Sequence, residues 1–249
     1  MTVLLRSLAS ELVKLFSTRM WWLLLLILTG YTGLGAAGLA FALAFAPEES
    51  GMVLPPGGAA PIIYSMATAS GYVFPVILGA MTVTGEVRHR TLTTTFLATP
   101  ARPVVLVAKA VVTLVAGAVH GVGATVATTG LGALVLGAGG EETGLEDPGT
   151  WAMLGRMVLA MALWGVVGVG VGVGVPNQVG SIVGILAFTQ FVEPIVRTAA
   201  AFVEPIGQVA RFLPGAAGDA LVGASFYTAI GGATDALEWW QGGLVLAGF

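Results

Sequence analysis

The sequence predicts an all-α, polytopic membrane protein, and three observations carry that expectation. Hydrophobic residues make up 56% of the 249 and charged residues only 9%, against about 25% charged in an ordinary soluble domain. Apolar runs longer than about 18 residues recur, each sufficient to cross a hydrocarbon core about 30 Å thick. These runs are continuous rather than alternating, so helices and not barrel strands satisfy the backbone where no water reaches. One domain, residues 1–249, with six spanning helices is expected, the sixth cut short at the end of the sequence. Cysteine is absent, which removes disulfides and thiolate metal sites.

The elements follow in order. In residues 1–19, Leu4, Leu5, Leu8, Leu12, Leu15 and Phe16 share one side at helical spacing, with Arg6, Ser7, Ser10 and Lys14 opposite. That pattern suits a helix lying in the membrane interface; the alternative is an inward extension of the first span. Span one covers 20–45, anchored by Arg19, Trp21 and Trp22. The ALAFA before Pro47 offers an A-x-A cleavage pattern, but the apolar stretch is too long for a signal peptide and is read as retained. Span two covers 61–84. Span three, 104–136, exceeds what a bilayer requires, so its first turns stand in the interface with Lys109 snorkelling. Span four covers 151–175, and Pro176, Asn177 and Gln178 separate it from span five, 179–195. Residues 196–240 are mixed, with Pro205, Pro214 and several glycines, which predicts short helices and a partly re-entrant segment on the outer side. Residues 241–249, behind Trp239 and Trp240, open as a span does.

Lys and Arg counts give the orientation. An inside amino terminus places seven of the ten basic residues in the cytosol, Arg6, Lys14, Arg19, Arg88, Arg90, Arg102 and Lys109, opposed only by Glu11 and Glu86. The other side receives eleven acids, among them Glu48, Glu49, Glu141, Glu142, Glu146 and Asp147, with Arg156, Arg197 and Arg211.

Enzymatic chemistry finds no support. No GxxxxGK[ST] phosphate loop exists, and neither Lys14 nor Lys109 follows a glycine-rich loop. His89 and His120 stand alone without HExxH spacing, so no metal or other cofactor bound by this chain is expected. No GxSxG elbow surrounds any serine.

The densest polar feature is the loop 85–103, GEVRHRTLTTTFLATPARP, wedged between two apolar runs. Its Leu92, Phe96 and Leu97 fall on one side of a helix over Glu86 to Thr99 that Pro100 ends, with threonines available to cap. On residue types alone it is equally a plain positive-inside loop.

The string GEVRHRTLTTTFLATPARPVVLVAKAVV resembles the GEYRHGTLTTTFLATPRR-type segment of the bacterial type-2 ATP-binding-cassette (ABC) transporter permeases. SELVKLFSTRMWWLLLL is similar to that family's E-x-x-K-L-x-S-T-R approach to span one, and PNQVGSIV, QFVEPIV and FLPGAAGDAL resemble later landmarks in family order. The chain departs from the pattern at Val87, where an aromatic is common, and at Arg90, usually glycine. The resemblance implies an exporter permease of a bacterial, actinobacterial-type cytoplasmic membrane, with its amino terminus in the cytosol. It pairs with a second permease copy or homologue and with separate ABC ATPase subunits that carry ATP and Mg. It also implies that the loop is the coupling helix seated in the ATPase, with Glu86, Arg88, His89, Arg90, Thr91, Leu92, Thr95, Phe96 and Leu97 making the contact. No nucleic-acid partner is expected.

Two competing classes remain open at this stage. One is a non-transporting scaffold or immunity subunit that recruits an ATPase. The other is an ion-coupled carrier, disfavoured because spans one to four as delimited above contain no acid. Weaker pathway or gate candidates are His120 in mid-span three, where a neutral, hydrogen-bonded histidine is the blander reading, and Gln190 and Glu193 near the outer end of span five. Small-xxx-small pairs Gly168/Gly172 and Gly170/Gly174 in span four serve either internal packing or a dimer seam.

Overall fold

The computed structural model describes residues 3–45, 58–200, 202–224 and 237–249, and among them every regular element is helical. Helix α1 is Val3–Phe16 and α2 Met20–Ala44. The second apolar run divides into α3, Ala60–Ala69, and α4, Val73–Arg88. A short α5, Leu92–Ala98, precedes α6, Arg102–Ala138, and α7, Pro148–Gly174. Next come α8, Gln178–Ala187, a π-helical turn, Phe188–Val192, and α9, Glu193–Ala200. Helices α10, Glu204–Ala210, α11, Pro214–Val222, and α12, Trp239–Gly248, complete the chain. Five stretches are long and apolar enough to cross a membrane: Met20–Ala44, Ala60–Arg88, Arg102–Ala138, Pro148–Gly174 and Gln178–Ala200. The molecule has the character of a multi-pass membrane protein. The acids Glu48 and Glu49, Pro47 and part of the 196–240 segment lie outside the described residues.

Helix boundaries follow local chemistry. Pro148 and Asp147 start α7, Asp147 Oδ1 accepting from the Gly149 N–H at 2.9 Å. Asn177 caps α8 in the same way through Gly180, so the Pro-Asn pair both stops α7 and starts the next helix. The break between α3 and α4 falls just before Pro75, which has no N–H to continue the ladder from Gly71. Glycine at 71 packs there against Leu28 and Thr32 of α2.

Seams of small residues bring the long helices together. Helices α6 and α7 run antiparallel with Gly117 and Gly121 against Met161, Ala162 and Val158. Helices α4 and α7 run parallel, with Gly168 on Val76 and Gly172 on Ala80 and Val83; a methyl group on Gly172 would stand 2.7 Å from the Ala80 carbonyl oxygen. Gly168 and Gly172 therefore serve contacts within the chain, the close approach that small residues allow between helices in lipid. Helix α11 packs midway along α7, Gly218 facing Trp164.

The alternation of chain direction gathers Arg88, Arg90, Arg102 and Lys109 with α1 and α5 at one end of the bundle, here the basic end, and Glu141, Glu142, Glu146 and Asp147 near the other. Two expected boundaries are corrected. The second span runs past Thr84 to Arg88, because Glu86 is buried in ionic contact and the helix continues to carry it. The fifth runs beyond Ile195 to Ala200 through the π-helical turn.

Candidate functional site

Four charged side chains close the basic end. Lys109, only 2% exposed, donates to Glu11 Oε2 at 2.7 Å, Glu86 Oε1 at 2.8 Å and the Thr82 carbonyl at 2.9 Å. Lys14 donates to Glu11 Oε1 at 2.6 Å, Glu86 Oε1 at 2.7 Å and Thr95 Oγ1 at 3.2 Å. Each ammonium has three N–H groups and three acceptors, and the two lysines offset the two carboxylates. The cluster joins α1, α4, α5 and α6. Snorkelling of Lys109 is corrected: its ammonium turns inward because two carboxylates and a carbonyl wait there. Burial works against the charge of Lys14, but the Glu11 and Glu86 carboxylates outweigh it and hold its pKa above the ordinary lysine value.

Helix α1 owes its placement to this cluster. Ser7, Glu11 and Leu15 are its buried positions, while Leu4, Leu5, Leu12, Val13 and Phe16 remain exposed. The side of α1 that faces the protein thus carries Ser7, Glu11 and Lys14 together with Leu8 and Leu15, while Leu4, Leu5 and Leu12 face outward, where lipid accepts them.

Beyond Glu86 the chain turns by a Schellman motif. The Thr91 N–H donates to the Glu86 carbonyl at 2.9 Å and the Arg90 N–H to the Val87 carbonyl at 3.2 Å. Arg90 occupies the left-handed position with φ 58°, the one positive-φ residue other than glycine among those described. This turn corrects the expected helix over Glu86 to Thr99: Glu86 and Arg88 belong to α4, His89 to Thr91 form the turn, and only Leu92–Ala98 is α5. Thr91 precedes α5 without capping it by its side chain; its backbone is already engaged by Glu86. Arg88 reaches Gln178 at the start of α8, Nη1 to Oε1 3.2 Å. Arg102 stacks over Phe96, 5.4 Å from its centroid.

Leu92, Thr95 and Phe96 turn toward the protein, half-buried, whereas Leu97 is 76% exposed. Leu97 does not share the side of Leu92 and Phe96, because the bonds of Thr95 and Arg102 fix the rotation of the helix. Its outward face is Thr93, Thr94, Leu97 and Ala98.

A second polar group lies inside the bundle. Glu193, 1% exposed, accepts from the Ala216 N–H at 3.1 Å and from the Tyr72 hydroxyl at 3.3 Å, with the Thr189 carbonyl 3.4 Å from that hydroxyl. The Ala216 N–H is one of the unbonded donors at the start of α11, so Glu193 caps that helix from another element. Tyr72 stacks on Trp164, centroids 4.4 Å apart, and Arg197 pairs with Asp219 of α11. Gln190 is exposed, on a different face from Glu193, and the two do not form a common site. His120 is buried on α6, its Nδ1 bonded to the Ala116 carbonyl of its own helix at 2.8 Å.

Sequence reasoning missed that Glu11, Lys14, Glu86 and Lys109 meet. The available signal was two acids and two lysines in segments otherwise nearly free of charge. Among the described residues no three His, Asp or Glu side chains gather as a metal site. Comparison with protein-family models, with curated proteins and with solved structures gives no match to this chain.

Proposed function

We propose that this chain is the permease subunit of an ATP-driven exporter of the type-2 ABC class, in a bacterial cytoplasmic membrane with the basic end in the cytosol. In this reading it forms a six-span permease, dimerises with a second permease, and couples to ATPase subunits that bind ATP and Mg. The observation that carries the reading is α5. A seven-residue helix presents an exposed leucine, Leu97, outside the bundle, and Thr95 ties it to the ionic cluster at the ends of α4 and α6. A force applied to α5 by a partner therefore reaches α1, α4 and α6 through bonds rather than through a slack loop. Exposed Val179, Val183, Phe191 and Ile195 on α8, the π-helical turn and α9 supply apolar surface for lipid and a second permease.

The test is a crosslinkable residue at Thr93, on the outward face of α5, in the full-length protein purified from native membranes in mild detergent. The expected product is a stoichiometric partner bearing its own phosphate loop and hydrolysing ATP, and Leu97→Asp removes both the crosslink and ATP-dependent efflux at an unchanged unfolding temperature. Purification without a nucleotide-binding partner sinks the proposal. An ATPase that crosslinks in membranes showing no ATP-dependent efflux of any substrate favours a scaffold instead.

A further inference from the structure

Arg90 occupies the position in a Schellman motif that glycine fills without strain. With φ 58° its Cβ crowds the backbone, and no local hydrogen bond by its side chain offsets this, since its guanidinium has no hydrogen-bond or ion-pair partner among the described residues. Asparagine or aspartate, the usual non-glycine occupants, at least bond locally; a long cation does not. The neighbouring cations behave differently. Arg88 bonds Gln178, Arg102 stacks on Phe96, and Lys109 and Lys14 are enclosed in the ionic cluster. Among the described residues Arg6 and Arg19 are likewise exposed without a partner, but Arg90 is the one of the three held in a left-handed turn, directly before the outward face of α5.

We infer that Arg90 is a specificity-determining contact to the partner ATPase, pairing with a carboxylate on the rim of the apolar pocket that receives Leu97. This rests on the permease reading above. The chemistry of the partner follows from the surface it must cover: an apolar centre for Leu97, hydroxyls at Thr93 and Thr94, and the cation of Arg90 beside the His89 imidazole on one side. Such a surface is complemented by an apolar hollow with an acidic edge, the arrangement by which charge selects one partner over another. A guanidinium held on a fixed turn also presents its donors bidentately to a carboxylate, which an ammonium cannot do.

The discriminating variant is Arg90→Gly, because it relieves the backbone while removing the charge. The co-purified complex is placed in nanodiscs of zwitterionic lipid alone, the ATPase is stripped and re-added, and its Kd is measured for the wild type, Arg90→Lys and Arg90→Gly. Arg90→Gly is expected to weaken binding about tenfold while leaving the unfolding temperature of the permease equal to or above that of the wild type. Arg90→Lys is expected to lie between them, and the salt dependence of binding to flatten in Arg90→Gly. Equal Kd for the wild type and Arg90→Gly overturns the inference and leaves the permease reading standing. A difference that arises only when anionic lipid is added assigns Arg90 to headgroups and also overturns it. If the wild type itself binds no ATPase, the permease reading fails and takes this inference with it.

Discussion

The basic-end cluster and the Glu193 site both bury carboxylates, but they neutralise them by opposite means. At the basic end Glu11 and Glu86 meet two lysine ammonium groups at 2.6 to 2.8 Å. Inside the bundle Glu193 meets no cation at ion-pair distance among the described residues and is held by the start of α11 and by a tyrosine hydroxyl. The difference teaches what each region can do. Ammonium groups on long, rotatable stems can exchange acceptors among four helices, so the basic end suits a joint that transmits movement. A backbone N–H cannot change partner without moving its helix, so the Glu193 site fixes α11 against α9 as one body, reinforced by Arg197 and Asp219.

Breaking the comparison at its strongest point means Lys109→Met. Removing a cation of 2% exposure leaves Glu11 and Glu86 with one shared, half-exposed lysine, and loss of one partner of a buried ion pair costs about 3–5 kcal/mol. Thermal unfolding in detergent is expected to fall accordingly, and adding Glu11→Gln to Lys109→Met is expected to recover part of the loss; no recovery would show that the two groups are not coupled.

The Glu193 site gives a smaller effect of a different kind. Glu193→Ala strands the Ala216 N–H and leaves the Tyr72 hydroxyl only the longer contact to the Thr189 carbonyl, about 1–3 kcal/mol for an unsatisfied buried group. Glu193→Gln keeps the Ala216 contact through its one amide oxygen and turns its NH2 group to the Tyr72 hydroxyl, which can accept it while donating to the Thr189 carbonyl, and is expected to remain near wild-type stability. Were glutamine as damaging as alanine, the carboxylate charge and not its acceptor geometry would be what α11 needs.

The mildest test is pH. Because the Lys14 pKa is raised above the ordinary 10.5, its contribution is fully present below that value and is lost as pH rises through the higher folded value. Unfolding temperatures followed from pH 9 upward are expected to fall more steeply for the wild type than for Lys14→Met; parallel curves would remove Lys14 from the cluster's energetics.

Much of the bundle was legible because its signals are local. Apolar length located Met20–Ala44, Arg102–Ala138 and Pro148–Gly174 within a few residues, and the Pro-Asn pair marked the start of α8. The segment around Glu86 was misread where a long-range contact overrode a local pattern. Its composition suggested one basic helix, but burial of Glu86 against Lys109 assigned the first part to α4, and the left-handed Arg90 restarted the chain. The same holds for α1, whose leucine stripe is split: Leu8 and Leu15 pack inward while Leu4, Leu5 and Leu12 face away, because Glu11 and Lys14 have partners 72 to 98 residues away that fix the rotation of the helix.

By itself the sequence determined that the chain is helical, which stretches can span a membrane and where charge concentrates, since length, hydropathy and composition act through solvent and need no particular neighbour. Only the tertiary structure decided which charges pair, which face of α5 is presented and what caps α11. Those outcomes depend on contacts of a few ångströms between segments distant in the chain, where the Coulomb and hydrogen-bond terms are strong but leave no periodic trace in the order of residues.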